Sequence, residues 1–179
     1  MLRRLNGVAL VGAVALTVAS WLLWRTLPHD DDLAPRRDSS LVVNKVGGYS
    51  IRVPEGMEPT TNGKVTRVAD APRTVLITVT PTRPGSPAET TTAVLAKLGS
   101  TYRKVDVDSH RRQTVDGRAA LASFGRATSR KGVDLGLVVV TVKSRNRSFA
   151  ITSVAAGGNT DRMPPQLRTV MNSFHARPR

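Results

Sequence analysis

Asp106, Asp108 and His110 stand at alternate positions in a stretch that also holds Val105 and Val107. In a strand, where side chains alternate between faces, this spacing puts two carboxylates and an imidazole on one face and both valines on the other. Carboxylate and imidazole ligands suit a divalent metal ion, and a bound metal would make the chain a metal-dependent hydrolase. The opposing reading is a solvated strand face. Lys104 and Arg112 fall on the same stripe and would repel a cation, and a metal site needs three or four converging ligands. The solvated face is preferred, so neither a metal nor a cofactor is expected.

Other chemistry has fewer residues to rest on. The 179-residue chain has no cysteine, which excludes a thiolate nucleophile, a zinc–thiolate site, a disulfide framework and a lipid-modified cysteine anchor. Its histidines are His29, His110 and His175, and no Gly-x-Ser-x-Gly elbow accompanies them. No Gly-x-x-x-x-Gly-Lys phosphate loop occurs, and Gly47-Gly48 reads as a turn. Aromatics at 4% are too few for a platform that stacks single-stranded nucleic acid. No catalytic residue is assigned.

Charge is the remaining signal. Residues 41–179 carry 22 Lys and Arg against 9 Asp and Glu, a surplus of +13 that attracts anionic partners. Candidate contacts are Arg111, Arg112, Arg126, Arg130, Lys131, Lys143, Arg145 and Arg147. The competing explanation is solubility in an arginine-rich composition, since only 6 of the 27 basic residues are lysine. The partner is expected to be an anionic protein, lipid or wall-polymer surface. Nucleic acid is not expected, because the chain is read as exported.

Export follows from residues 5–24, an apolar run without a charge. As a helix rising about 1.5 Å per residue it spans about 30 Å, the thickness of a bilayer's hydrocarbon core. Arg3 and Arg4 precede it, so the N-terminus is expected in the cytoplasm and the rest of the chain outside. Cleavage as a signal peptide after Ser20 is the alternative, although the apolar run continues through Trp24, beyond the usual cleaved length. Residues 1–25 are thus read as an anchor, 26–40 as a flexible tether, and 41–179 as one extracytoplasmic domain.

Within that domain the pattern is mostly period two. Leu41–Val43, Tyr49–Val53, Val65–Ala69 and Thr74–Thr80 read as strands. Ser86-Pro87-Ala88-Glu89 supplies an N-cap, a first-turn proline and a capping-box acid. Thr91, Val94, Leu95 and Leu98 then form a helical stripe, with Gly99 as the expected stop. Arg103–Asp108, Arg111–Val115 and Arg118–Thr128 follow as strands, the last two joined by an Asp116-Gly117 turn. Leu137 to Val140 are apolar on both faces and predict a central strand. Pro164-Pro165 opens a second helix striped by Leu167, Val170, Met171 and Phe174. Leu95, Leu98, Val139, Ile151 and Phe174 are the expected core. The fold class is α+β, an antiparallel sheet flanked by helices.

The order of these parts resembles a known family. Gly48-Tyr49-Ser50-Ile51-Arg52-Val53-Pro54-Glu55-Gly56 is similar to the Y-S-I-x-x-P-x-G-W opening of the PsbP-like superfamily of α/β/α sandwiches. Thr114 to Ala120 resembles its V-x-G-R-P-A segment, and Asn172-Ser173-Phe174 its x-S-F ending, so the likeness covers about residues 45–175. Met57 stands where the family has Trp. A membrane helix before such a domain also resembles the C-terminal half of actinobacterial type VII secretion-associated proteins. The resemblance implies a binding and assembly role and carries over no catalytic residue.

Overall fold

The computed structural model describes residues 40–157 and 162–177. The expected anchor at 5–24 and nearly all of the tether lie outside the described residues. No helix among the described residues is long and apolar enough to cross a membrane.

Two antiparallel sheets and two helices make up the described domain. The first hairpin pairs β1 (Leu41–Asn44) with β2 (Tyr49–Arg52). Then come β3 (Met57–Asn62), β4 (Val65–Asp70), β5 (Val75–Thr82) and helix α1 (Pro87–Thr101). Four long strands follow: β6 (Lys104–Val115), β7 (Arg118–Thr128), β8 (Asp134–Lys143) and β9 (Ser148–Ala156). Helix α2 (Pro165–Ser173) leads into the short β10 (His175–Ala176), which pairs with β2. The main sheet has the order β3-β4-β5-β9-β8-β7-β6. β8 is interior, as its apolar run requires, with Val138, Val139 and Val140 all buried.

Each face of the main sheet buries a separate core. On one face, Ile77, Val79, Phe124, Val140 and Ile151 pack against the small sheet and α2 through Tyr49, Ile51, Leu167, Val170 and Phe174. Met57 is buried there too. On the other face, Leu137, Val139 and Val154 meet Val94, Leu95 and Leu98 of α1. Of the expected core, Val139, Ile151 and Phe174 are buried, whereas Leu95 and Leu98 are half-buried against the edge of the second core.

The capping box of α1 forms as its sequence predicts: Glu89 N donates to Ser86 Oγ at 3.2 Å, and Ser86 N to Glu89 Oε2 at 2.8 Å. The helix nonetheless runs through Gly99 to Thr101. Its last carbonyls are satisfied from elsewhere, because Arg130 donates to Ser100 O at 2.8 Å and Thr101 O at 3.3 Å. At the other end the Thr141 hydroxyl lies 2.8 Å from Pro87 O and 2.9 Å from the Thr91 hydroxyl. α1 is therefore pinned at both ends.

A polar knot ties the small sheet to the turn of the β6–β7 hairpin. Asp116 adopts φ 54° and Gly117 φ 68°, the left-handed pair a two-residue hairpin turn requires. The Asp116 carboxylate accepts from Arg118 Nε (3.1 Å) and Ala176 N (3.0 Å), and pairs with His175 Nδ1 (2.8 Å). Burial alone would raise its pKa, but these bonds together outweigh burial and hold it below the ordinary carboxylate value.

Candidate binding surfaces

The strands expected at Arg103–Asp108 and Arg111–Val115 are one continuous strand, β6, with a β-bulge. Val107 pairs with Gly125 and Ser109 with Phe124, so Asp108 is left without a partner. Gly125 permits this close approach: a Cβ there would stand 2.0 Å from the Asp106 carbonyl oxygen and 2.8 Å from Val107 Cα. The inserted residue breaks the alternation on which a shared Asp106–Asp108–His110 face depends. Residues directly opposite in an antiparallel pair point to the same side. Asp106 therefore shares the side of Arg126 and Phe124, while His110 shares that of Ser123 and faces the α1 layer. His110 Nδ1 lies 2.8 Å from Ser123 Oγ, and Asp106 pairs with Lys104 at 2.6 Å on the surface. The expected single face is corrected: the three side chains do not converge. Among the described residues no group of three His, Asp or Glu side chains is placed to hold a metal.

The bulge also separates the candidate cations. Arg111 lies 5.3 Å from the Phe124 ring centroid, on the small-sheet side, while Arg112 pairs with Leu121 on the α1 side. Arg126 is exposed across from Asp106. Two of the eight are held by backbone carbonyls: Arg130 on the end of α1, and Arg147, whose Nη1 donates to Gly47 O at 2.7 Å. Arg130 and Lys131 follow β7, whereas Lys143, Arg145 and Arg147 sit around the β8–β9 turn. Ten-residue β8 separates these groups by about 30 Å, so the eight do not form one patch.

A different concavity brings cations together. α1 packs over β6, β7, β8 and β9, and a cleft of about 1000 Å³ opens along its flank above β3, β4, β5 and β9. The register sets its floor: Thr60, Arg67, Thr78 and Thr152 form one row across four strands, and Ala69, Leu76 and Val154 a second. Val94, Lys97, Leu98 and Tyr102 of α1 and its C-terminal flank form the wall. Arg73 and Arg83 flank β5 at its two ends. Four cations and one carboxylate, Glu58, line the cleft. All four cations are exposed, and none of their side chains makes an ion pair among the described residues. The sequence carried one signal of this site. Thr78 and Thr80 alternate with Ile77 and Val79, so β5 has one dry face and one face suited to solvent or ligand.

No family model matches the chain, and no curated protein matches it. Among solved structures, the chain is similar to cyanobacterial PsbP (CyanoP) from Synechocystis sp. PCC 6803, with 14% identity and a TM-score of 0.58. That likeness covers 84% of this chain and 98% of CyanoP. It is also similar to a crystal structure from Bacteroides thetaiotaomicron VPI-5482, with 12% identity, a TM-score of 0.55 and 78% of this chain covered. The chain spans about half of that protein, 49% of its length. At such identities the likeness is one of architecture: the domain has a PsbP-like fold, an antiparallel α+β sandwich.

Proposed function

We propose that this protein is a membrane-anchored, extracytoplasmic binding module, an accessory part of a cell-envelope assembly complex of the type VII secretion kind. The observation that carries the binding reading is the cleft beside α1, lined by four exposed cations that make no ion pair among the described residues. The apolar run at 5–24, with Arg3 and Arg4 before it, supports the anchor and its orientation. The PsbP-like fold supports a scaffold role by analogy alone. A metal-dependent hydrolase built on Asp106, Asp108 and His110 is disfavoured by the bulge that turns His110 away from Asp106.

Two measurements test this reading. Protease added to intact spheroplasts should digest the domain and leave a membrane stub; a protected domain would refute the topology. Crosslinking from native membranes with residues 1–39 retained should then join the domain to an envelope component. Alanine at Asp106, Asp108 and His110 should leave that crosslink unchanged; stoichiometric metal in the purified domain, with no envelope component captured, would instead favour the hydrolase.

A further inference from the structure

We infer that the cleft beside α1 binds an extended acidic peptide segment of a partner protein, with carboxylates and apolar side chains interleaved. The inference rests on the binding reading above and names its site and ligand class. Charge placement comes first. Arg73 precedes β5 and Arg83 follows it, ten residues apart, while Arg67 lies on the floor between them. At about 3.3 Å per residue that span is about 30 Å. Cations distributed over such a length suit a ligand with negative charge along it. A single phosphate would engage one end only. A lipid has one charged end and one apolar end, whereas this cleft is cationic at both.

The lining between the cations selects further. Leu76, Val94 and Leu98 offer apolar contact, while the hydroxyls of Thr60, Thr78 and Thr152 offer donors and acceptors. Tyr102 is the single aromatic ring in the lining, too few for stacking successive sugars or bases. A peptide supplies all the matching features: carboxylates for the guanidinium groups, amides for the threonines and aliphatic side chains for the wall. The wall is preorganised, since α1 is pinned at its N-terminal end by Thr141 and at its C-terminal end by Arg130.

The test titrates the full-length chain, in detergent micelles, into a fluorescent peptide of about ten residues alternating aspartate and leucine, a length matched to the span. Fluorescence anisotropy should show saturable one-to-one binding that weakens with salt, and no binding of the same peptide with lysine for aspartate. Combined Arg67→Glu, Arg83→Glu and Lys97→Glu substitutions should weaken binding about 30-fold, because three exposed attractions become repulsions. All three side chains are exposed, and unchanged circular dichroism checks the fold. Ala93→Trp, on the cleft wall, should weaken binding at constant charge. Reversal of Arg112, Lys131 and Arg145, outside the cleft lining, should change affinity by less than about twofold.

Three results overturn the inference: equal losses from the two triple reversals, no effect of Ala93→Trp, or displacement of the peptide by short-chain phosphatidylglycerol. The first would assign the attraction to net charge and the last to lipid. If the peptide fails to bind while membrane crosslinking still captures an envelope component, the cleft assignment falls and the binding reading stands. If crosslinking also captures nothing, the binding reading falls with it.

Discussion

Replacing Phe174 by alanine tests whether α2 and β10 close the domain as described. Phe174 is 3% exposed. Its ring meets Phe149 edge-on with centroids 5.1 Å apart, and Tyr49 in a stacked arrangement at 6.2 Å. Truncation removes roughly 100–130 Å² of buried apolar surface, worth about 3 kcal/mol at about 25 cal/mol per Å². Losing two ring–ring contacts adds about 1 kcal/mol. The sum, about 4 kcal/mol, falls inside the range of about 3–5 kcal/mol typical of emptied aromatic core sites. Urea unfolding should therefore shift strongly to lower midpoint without a change in slope. Far-UV circular dichroism is the suitable probe, since both tryptophans, Trp21 and Trp24, precede the domain. A loss below about 1 kcal/mol would mean that α2 does not dock through this ring, and the closure argument would fail.

Gly125→Ala should cost about 2 kcal/mol, because its Cβ would collide with the Asp106 carbonyl and force the bulge apart. Amide exchange at residues 106–110 should accelerate in that variant, and wild-type protection there would contradict the account of the bulge. The Asp116 carboxyl titrates below its ordinary value of about 3.9 in the folded chain, so its contribution is present above that pH and lost as pH falls through the depressed value. Asp116→Asn should consequently be less stable than wild type at pH 7, with the gap in urea midpoint narrowing below about pH 4. A gap that stays constant with pH would show that the Asp116 knot with Arg118, His175 and Ala176 contributes no charge-dependent stability.

Legibility from sequence follows local strength of pattern. The α1 capping box, the Asp116-Gly117 turn and the two-faced apolar run of β8 each encode their structure within a few residues, and each appears where expected. β3 was not legible, since Met57–Asn62 is polar and contains Pro59; it forms because β4 supplies a hydrogen-bonding edge. β10 has two residues and exists through its pairing with β2. The bulge was hidden for a related reason. Its cause is a glycine on the neighbouring strand, 17 positions beyond Asp108, and no periodicity within 103–115 records it. That one inserted residue undid the Asp106–Asp108–His110 face.

The cleft illustrates how a site arises from what the cores leave uncovered. A seven-stranded sheet is wider than one helix, about 4.8 Å per strand against a helix diameter of about 10–12 Å. On the opposite face the small sheet and α2 share the covering between them. On this face α1 is alone among the described elements, and it sits over β6 to β9, where Ala127, Leu137, Val139 and Val154 form the buried part of the second core. The β3–β5 flank is left uncovered beside it, and there the row of Thr60, Arg67 and Thr78 adjoins the apolar Ala69 and Leu76. Four cations against Glu58 alone, beside a helix fixed at both ends, make a preorganised positive field, and the proposed acidic segment relies on that field.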